Sequence, residues 1–157
     1  MDLDAQIQLL IDNAPQDGIT PQLITAIAPI LTAIAQKLRH SQYYILQNLD
    51  GNWVLTTLSN RANPELKKRV IYAFPNLQEA TITSGAGLDP QVIALSIPVT
   101  HILFQLVALE PVDSIVFFET SGTKNNTVEV LRIELQRQIQ QLLQKNLEQS
   151  QIPPDIA

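Results

Sequence analysis

The pair Asp50-Gly51, set between two runs of strand-forming residues, constrains this chain more than any other feature. Tyr43-Tyr44-Ile45-Leu46 leads in and Trp53-Val54-Leu55-Thr56-Thr57-Leu58 leads out. An Asp-Gly pair suits a tight turn whose centre needs positive φ, so the spacing predicts a β-hairpin over Gln42–Ser59. A hairpin demands antiparallel pairing. Upstream, Leu3, Ile7, Leu10 and Ile11 fall on one helical face until Pro15-Gln16-Asp17-Gly18 interrupts it. Thr20-Pro21 then reads as an N-cap and first-turn proline. The helix it opens carries Leu23, Ile24, Ile27, Ile30, Leu31, Ile34 and Leu38 in a wide apolar stripe. Pro29 is expected to kink this helix, and His40 to cap its carbonyl end beside Lys37 and Arg39.

Downstream of the hairpin, Asn60–Lys68 is a polar excursion and Val70–Phe74 predicts a third strand, closed by Pro75. Asn76-Leu77-Gln78-Glu79 has the form of a capping box, so a short helix should follow. Gly85–Pro90 reads as a loop and Val92–Ile97 as a short apolar strand. From Val99 the spacing of Ile102, Leu103, Leu106 and Val107 is helical until Glu110-Pro111. Ser114–Phe118 predicts a buried strand and Ser121–Asn126 a loop. Thr127–Ile133 fits either an edge strand or the start of the last helix. Leu135, Ile139, Leu142, Leu143 and Leu147 define that helix. Helices and strands mix without strict alternation, which predicts an α+β fold. Its sheet is mostly antiparallel or mixed, with two N-terminal helices, an inserted helix and a long C-terminal helix packed on it. Residues 1–150 are expected to form one domain, and 151–157, with Pro153-Pro154, a flexible tail.

Composition narrows the function classes. A net charge of −5, with Lys67-Lys68-Arg69 as the one dense basic run, disfavours nucleic acid, whose phosphates call for a basic surface. With no cysteine, thiolate metal sites, disulfides and cysteine nucleophiles are ruled out. The apolar stretches Leu23–Leu38 and Val92–Leu109 are broken by polar residues and proline, so membrane insertion is not expected. The acidic start Met1-Asp2-Leu3-Asp4 is unlike a signal peptide, and a cytoplasmic location is the expectation. Only 16% of residues are charged; glutamine fills much of the remaining polar surface, which leaves room for apolar contact with a partner.

The run Val70-Ile71-Tyr72-Ala73-Phe74-Pro75-Asn76-Leu77-Gln78-Glu79-Ala80 after a hairpin resembles the strand–Phe–Thr–x–x–Glu–Ala segment of SseB-type amino-terminal domains. The likeness extends over Tyr44–Leu143: Val92-Ile93-Ala94-Leu95, then Leu103-Phe104-Gln105-Leu106, then a strand at Ser114–Phe118 and small polar residues at Ser121-Gly122. Pro75 stands where that family usually has threonine, Glu119-Thr120-Ser121-Gly122 replaces its Asn-Pro-Gly type turn, and the first two helices have no counterpart. The resemblance implies a fold and carries over no catalytic residue.

No catalytic, cofactor or metal site is expected. His101 has Thr100 beside it and Ser96 five residues back, but no Gly-x-Ser-x-Gly elbow, and it reads as a structural histidine in an apolar helix. Gly85-Ala86-Gly87 lacks the further glycine and lysine of a phosphate loop. The remaining features suggest surfaces. Trp53 with Tyr43 and Tyr44 could form an aromatic anchor, or Trp53 could pack beneath the first helices. Lys67, Lys68 and Arg69 read as a solvated turn, or as a contact for an acidic partner. The expected function is a non-catalytic protein–protein interaction module, an adaptor or assembly factor, binding another protein or a second copy of itself. The alternative is a small-molecule-sensing regulatory domain with a pocket under the Val99–Leu109 helix, lined by Tyr44, Trp53 and His101.

Overall fold

The structure is a computed structural model that describes residues 2–59, 61–63, 65–84, 91–119 and 126–151, without the side chains of 82–84 and 146–151. Its elements are α1 (Leu3–Asn13), α2 (Thr20–Lys37), β1 (Gln42–Asn48), β2 (Thr56–Ser59), β3 (Lys67–Phe74), α3 (Leu77–Ser84), β4 (Val92–Pro98), α4 (Val99–Ala108), β5 (Ser114–Phe118), β6 (Thr127–Leu131) and α5 (Arg132–Gln151). The expected loops at 85–90 and 120–125 and the tail at 152–157 lie outside the described residues. The α+β architecture is as the sequence predicts. Thr127–Leu131 resolves as an edge strand, with the last helix starting at Arg132.

The strands form one mixed sheet in the order β4-β1-β3-β5-β6, with β2 added on β3. All pairings are antiparallel except β3 with β5. Strand alternation divides the sheet into two faces. Tyr43, Ile45, Ile71, Ala73, Ile115, Phe117 and Val130 join the main core with residues of α1, α2, α4 and α5. Leu46 and Phe74 turn to the other face, where α3 supplies Ala80 and Tyr44, Tyr72 and Phe118 pack alongside. Among the described residues, four helices thus lie on one side of the sheet and one short helix on the other. Within α4, Ile102, Leu103 and Leu106 are wholly buried, each stabilising by about 1.5–3 kcal/mol relative to exposure.

Several local expectations need correction. The hairpin turns at Asp50-Gly51 as read, with Gly51 at φ +84 and its N–H donating to the Asn48 carbonyl. The return pairs with β1 only around Trp53, through a bridge to Gln47 and a Val54 N–H bond to Leu46. It then leaves β1, and β2 pairs with β3 instead, from Thr56↔Val70 to Ser59↔Lys67. Lys67-Lys68-Arg69 is therefore not a turn but the first part of β3. Asp17, not Thr20, caps α2: its carboxylate accepts from the N–H groups of Ile19 and Thr20 and from the Thr20 hydroxyl. These bonds, the Thr20 N–H foremost, hold the Asp17 carboxyl down at about 2. Helix α2 runs unbroken through Pro29 on its exposed side and ends before His40. His40 caps no carbonyl of α2; its Nε2 lies 2.8 Å from the Glu119 carbonyl oxygen.

Candidate functional site

Strand β4 lies at one end of the sheet and pairs along its whole length with β1, from Asn48↔Val92 to Gln42↔Pro98. Continuing the register, the Val99 N–H donates to the Ser41 carbonyl at 3.0 Å. In an antiparallel pair, residues alternate between bonding the neighbour and pointing away from it. Ile93, Leu95 and Ile97 consequently bond β1, and Val92, Ala94 and Ser96 direct their N–H and C=O groups outward. Among the described residues nothing pairs with those outward groups.

The side chains of β4 are equally unusual for an edge. Ile93, Leu95 and Ile97 share the face of Tyr43 and Ile45, opposite Val92 and Ala94, which pack on the cluster around Phe74. A strand apolar on both faces belongs in a sheet interior, where both faces are covered. Here the helical layer stops short: Ile93 is 45% and Leu95 38% exposed. Edge strands are ordinarily protected by charge, proline or a bulge; β4 carries no charge and keeps an unbroken register with β1, and its one proline, Pro98, is its last residue. The opposite edge differs, because β6 puts exposed Thr127 and Glu129 on one face.

The residues singled out in the sequence do not converge on one surface. Tyr43 is buried on the helical face, where its hydroxyl donates to Glu119 Oε2 at 2.8 Å. Burial, with that bond, pushes the Tyr43 phenol well above its ordinary value. Tyr44, its neighbour in a strand, faces the other way. Trp53 packs half-buried against the main core, in a row with Gln47 and Ile93 across β1. The structure therefore separates the three aromatic residues, and Trp53 packs on the helical side of the sheet. Lys68 pairs with Glu129, which also accepts from Ser114 Oγ at 2.6 Å. Burial works against ionisation of Glu129, but the bonds from Lys68 and Ser114 and the lysine charge outweigh it and hold the carboxyl below its usual range. The Arg69 N–H donates to Asp113 Oδ2, whose own N–H returns a bond to the Arg69 carbonyl.

His101 sits against α1, its Nε2 3.0 Å from the Gln6 carbonyl oxygen. Beside it, the buried Gln6 side chain donates to the Ser41 carbonyl and accepts from both the N–H and the hydroxyl of Thr100. Tyr44, Trp53 and His101 thus line no common pocket, and the sheet-facing residues of α4 are packed without exposure. A second buried network joins Glu119 to Tyr43 and to the Arg39 N–H. Among the described residues no group of three or more His, Asp or Glu side chains is placed to hold a metal ion, and no helix is long and apolar enough to cross a membrane.

Val92–Ile97 is a strand, as its residues predict, and its place at the edge of the sheet follows from nothing local. No signal in the sequence marks that edge, since Val92–Ile97 is six residues with no charge and no strict polar alternation. That pattern normally places a strand inside a sheet. No protein-family model matches the chain, and no curated protein matches it.

Proposed function

We propose that this chain is a non-catalytic protein-interaction module, an adaptor or assembly factor, with the β4 edge as its contact surface. The supporting observation is an uncharged strand, apolar on both faces, whose outward N–H and C=O groups have no partner among the described residues. An edge of this kind recruits extended chain by main-chain hydrogen bonds, and the apolar side chains flanking it add affinity. Both histidines are engaged in holding elements together, which fits a scaffold role for them. On the same footing, the resemblance of Tyr44–Leu143 to SseB-type amino-terminal domains is kept as a proposal about the fold.

Affinity purification of the tagged chain from its own cell extract, in parallel with Leu95→Lys, tests this reading. Proteins held by the wild type and lost from the variant support it. Identical retention by both, or none by either together with a monomeric wild type, overturns it.

A further inference from the structure

Independently of the β4 edge, we infer that the outer edge of β2 is a second contact surface, which takes an extended peptide with acidic residues at alternate positions and apolar residues between them. Four of the chain's ten lysines and arginines, Arg61, Lys67, Lys68 and Arg69, fall within nine consecutive residues that hold one acid, Glu65. Positive charge is therefore concentrated on the β2–β3 hairpin of a chain whose net charge is −5. Lys68 is engaged by Glu129, but Arg61, Lys67 and Arg69 are exposed and form no ion pair among the described residues. Two leucines lie bare beside these cations, Leu58 at 43% and Leu66 at 60% exposure. With Ser59, Lys67 and Lys68 they line an open groove of about 320 Å³.

The main chain decides the form of the occupant. The Asp113 N–H donates to the Arg69 carbonyl and the Arg69 N–H to Asp113 Oδ2, so Arg69 turns its main chain toward β5. By alternation Lys68 and Val70 turn toward β2, opposite Leu58 and Thr56. Thr57 and Ser59 are left directing N–H and C=O groups outward, and no described strand takes them. Such an edge adds extended chain, for which a lipid surface supplies no matching ladder. Three free cations on an acidic protein are too few to follow a nucleic-acid backbone. Alternation also sets the order of side chains. Lys67 and Arg69 share one face of the hairpin with Ser59 and Thr57, and Leu58 and Lys68 share the other. The short Thr57 and Ser59 side chains leave Lys67 and Arg69 within reach of carboxylates on an added strand. Its intervening residues fall on the face of Leu58 and the groove toward Leu66. Charge complementarity favours an acidic segment over an uncharged or basic one.

Fluorescence anisotropy of the whole chain with a labelled peptide alternating glutamate and leucine tests this. The peptide should bind, and a peptide alternating lysine and leucine should not. Reversing Lys67→Glu with Arg69→Glu should weaken binding about tenfold or more, and raising salt from about 0.05 to about 0.5 M should weaken it in the wild type. Leu58→Ser should also bind more weakly, whereas Leu95→Lys, on the β4 edge, should bind as the wild type does. Amide exchange at Thr57 and Ser59 should slow when the peptide is added. Circular dichroism should be the same for all variants; should the charge reversal misfold, the salt series and the two peptides still decide the matter on the wild type. Absence of binding, equal binding of both peptides, or unchanged exchange at Thr57 and Ser59 overturns the inference. So does co-sedimentation with phosphatidylserine vesicles by a chain that ignores the peptide, which would make the patch a membrane contact. Loss of binding in Leu95→Lys would move the peptide to β4 and overturn the β2 assignment alone.

Discussion

Replacing Gln6 by alanine tests whether one helix caps another. Helix α4 starts directly after β4, and its N-cap position is Pro98, which has no side chain able to accept a bond. The first N–H groups of any helix lack partners within it. Here the Val99 N–H finds the Ser41 carbonyl, and the Thr100 N–H finds Gln6 Oε1 at 3.1 Å, from a residue 94 positions earlier. Gln6 is 1% exposed and Thr100 fully buried, so water cannot take over the bonds that alanine would break. Losing a cap costs about 1 kcal/mol. Leaving the buried Thr100 hydroxyl without its acceptor adds about 1–3 kcal/mol. The expected loss is about 3 kcal/mol, or about 6–12 °C in midpoint for a chain of this size. Equilibrium urea unfolding of Gln6→Ala should show it, against Gln8→Ala as control. Gln8 is exposed on the same helix and bonds only Asp12 among the described residues, so its loss should stay within about 0.5 kcal/mol. If the two variants unfold at the same urea concentration, α1 does not cap α4 and the reasoning fails.

Three further outcomes follow from the geometry. Phe74 is buried beneath α3 and stacks on Phe118 at 5.2 Å between ring centres, so Phe74→Ala should cost about 3–5 kcal/mol in chemical denaturation. Tyr43→Phe removes a hydroxyl bonded to a buried carboxylate and should cost about 1.5–3 kcal/mol by the same assay; a neutral result would show that Glu119 finds another donor. Asp17 and Glu129 both have folded-state values below their unfolded ones. Their stabilisation is therefore complete above the unfolded carboxylate pKa and lost as pH falls through the folded value, which for Asp17 is about 2. Carbon-13 carboxyl titration should place Asp17 there, and Lys68→Ala should move Glu129 upward. Because Lys68 and Glu129 are both over a third exposed, the accompanying stability change should be at most about 1 kcal/mol.

Local chemistry was legible wherever one stretch of chain determines its own conformation. Periodicity located α2, α4 and α5, and Asp-Gly located the turn, because a helical stripe and a positive-φ glycine are properties of neighbouring residues. Errors arose where a local choice competed with a distant one. Thr20 resembles an N-cap, but it is itself the first residue of α2, and Asp17, three residues earlier, accepts from the N–H groups of Ile19 and Thr20. His40 stands where a helix-capping cation would, but the Glu119 carbonyl, 79 positions away, takes its ring nitrogen. Strand-forming residues after Asp50-Gly51 specified a strand but not its neighbour, and β3 competes successfully with β1 for β2.

By itself, the sequence determined the helices and strands other than Thr127–Leu131, the α+β class, the turn at Gly51 and the absence of cysteine chemistry. These depend on side chains close together in the chain. The tertiary structure alone decided that Gln6 caps α4, that Tyr43 and Tyr44 lie on opposite faces with Trp53 on the core side, and that β4 stands at the edge. The order of strands is set by which faces can be buried together across long separations, and an isolated apolar run carries no record of whether a neighbour will cover it. The candidate site is that difference: a strand with an interior composition, placed where, among the described residues, only one side is paired.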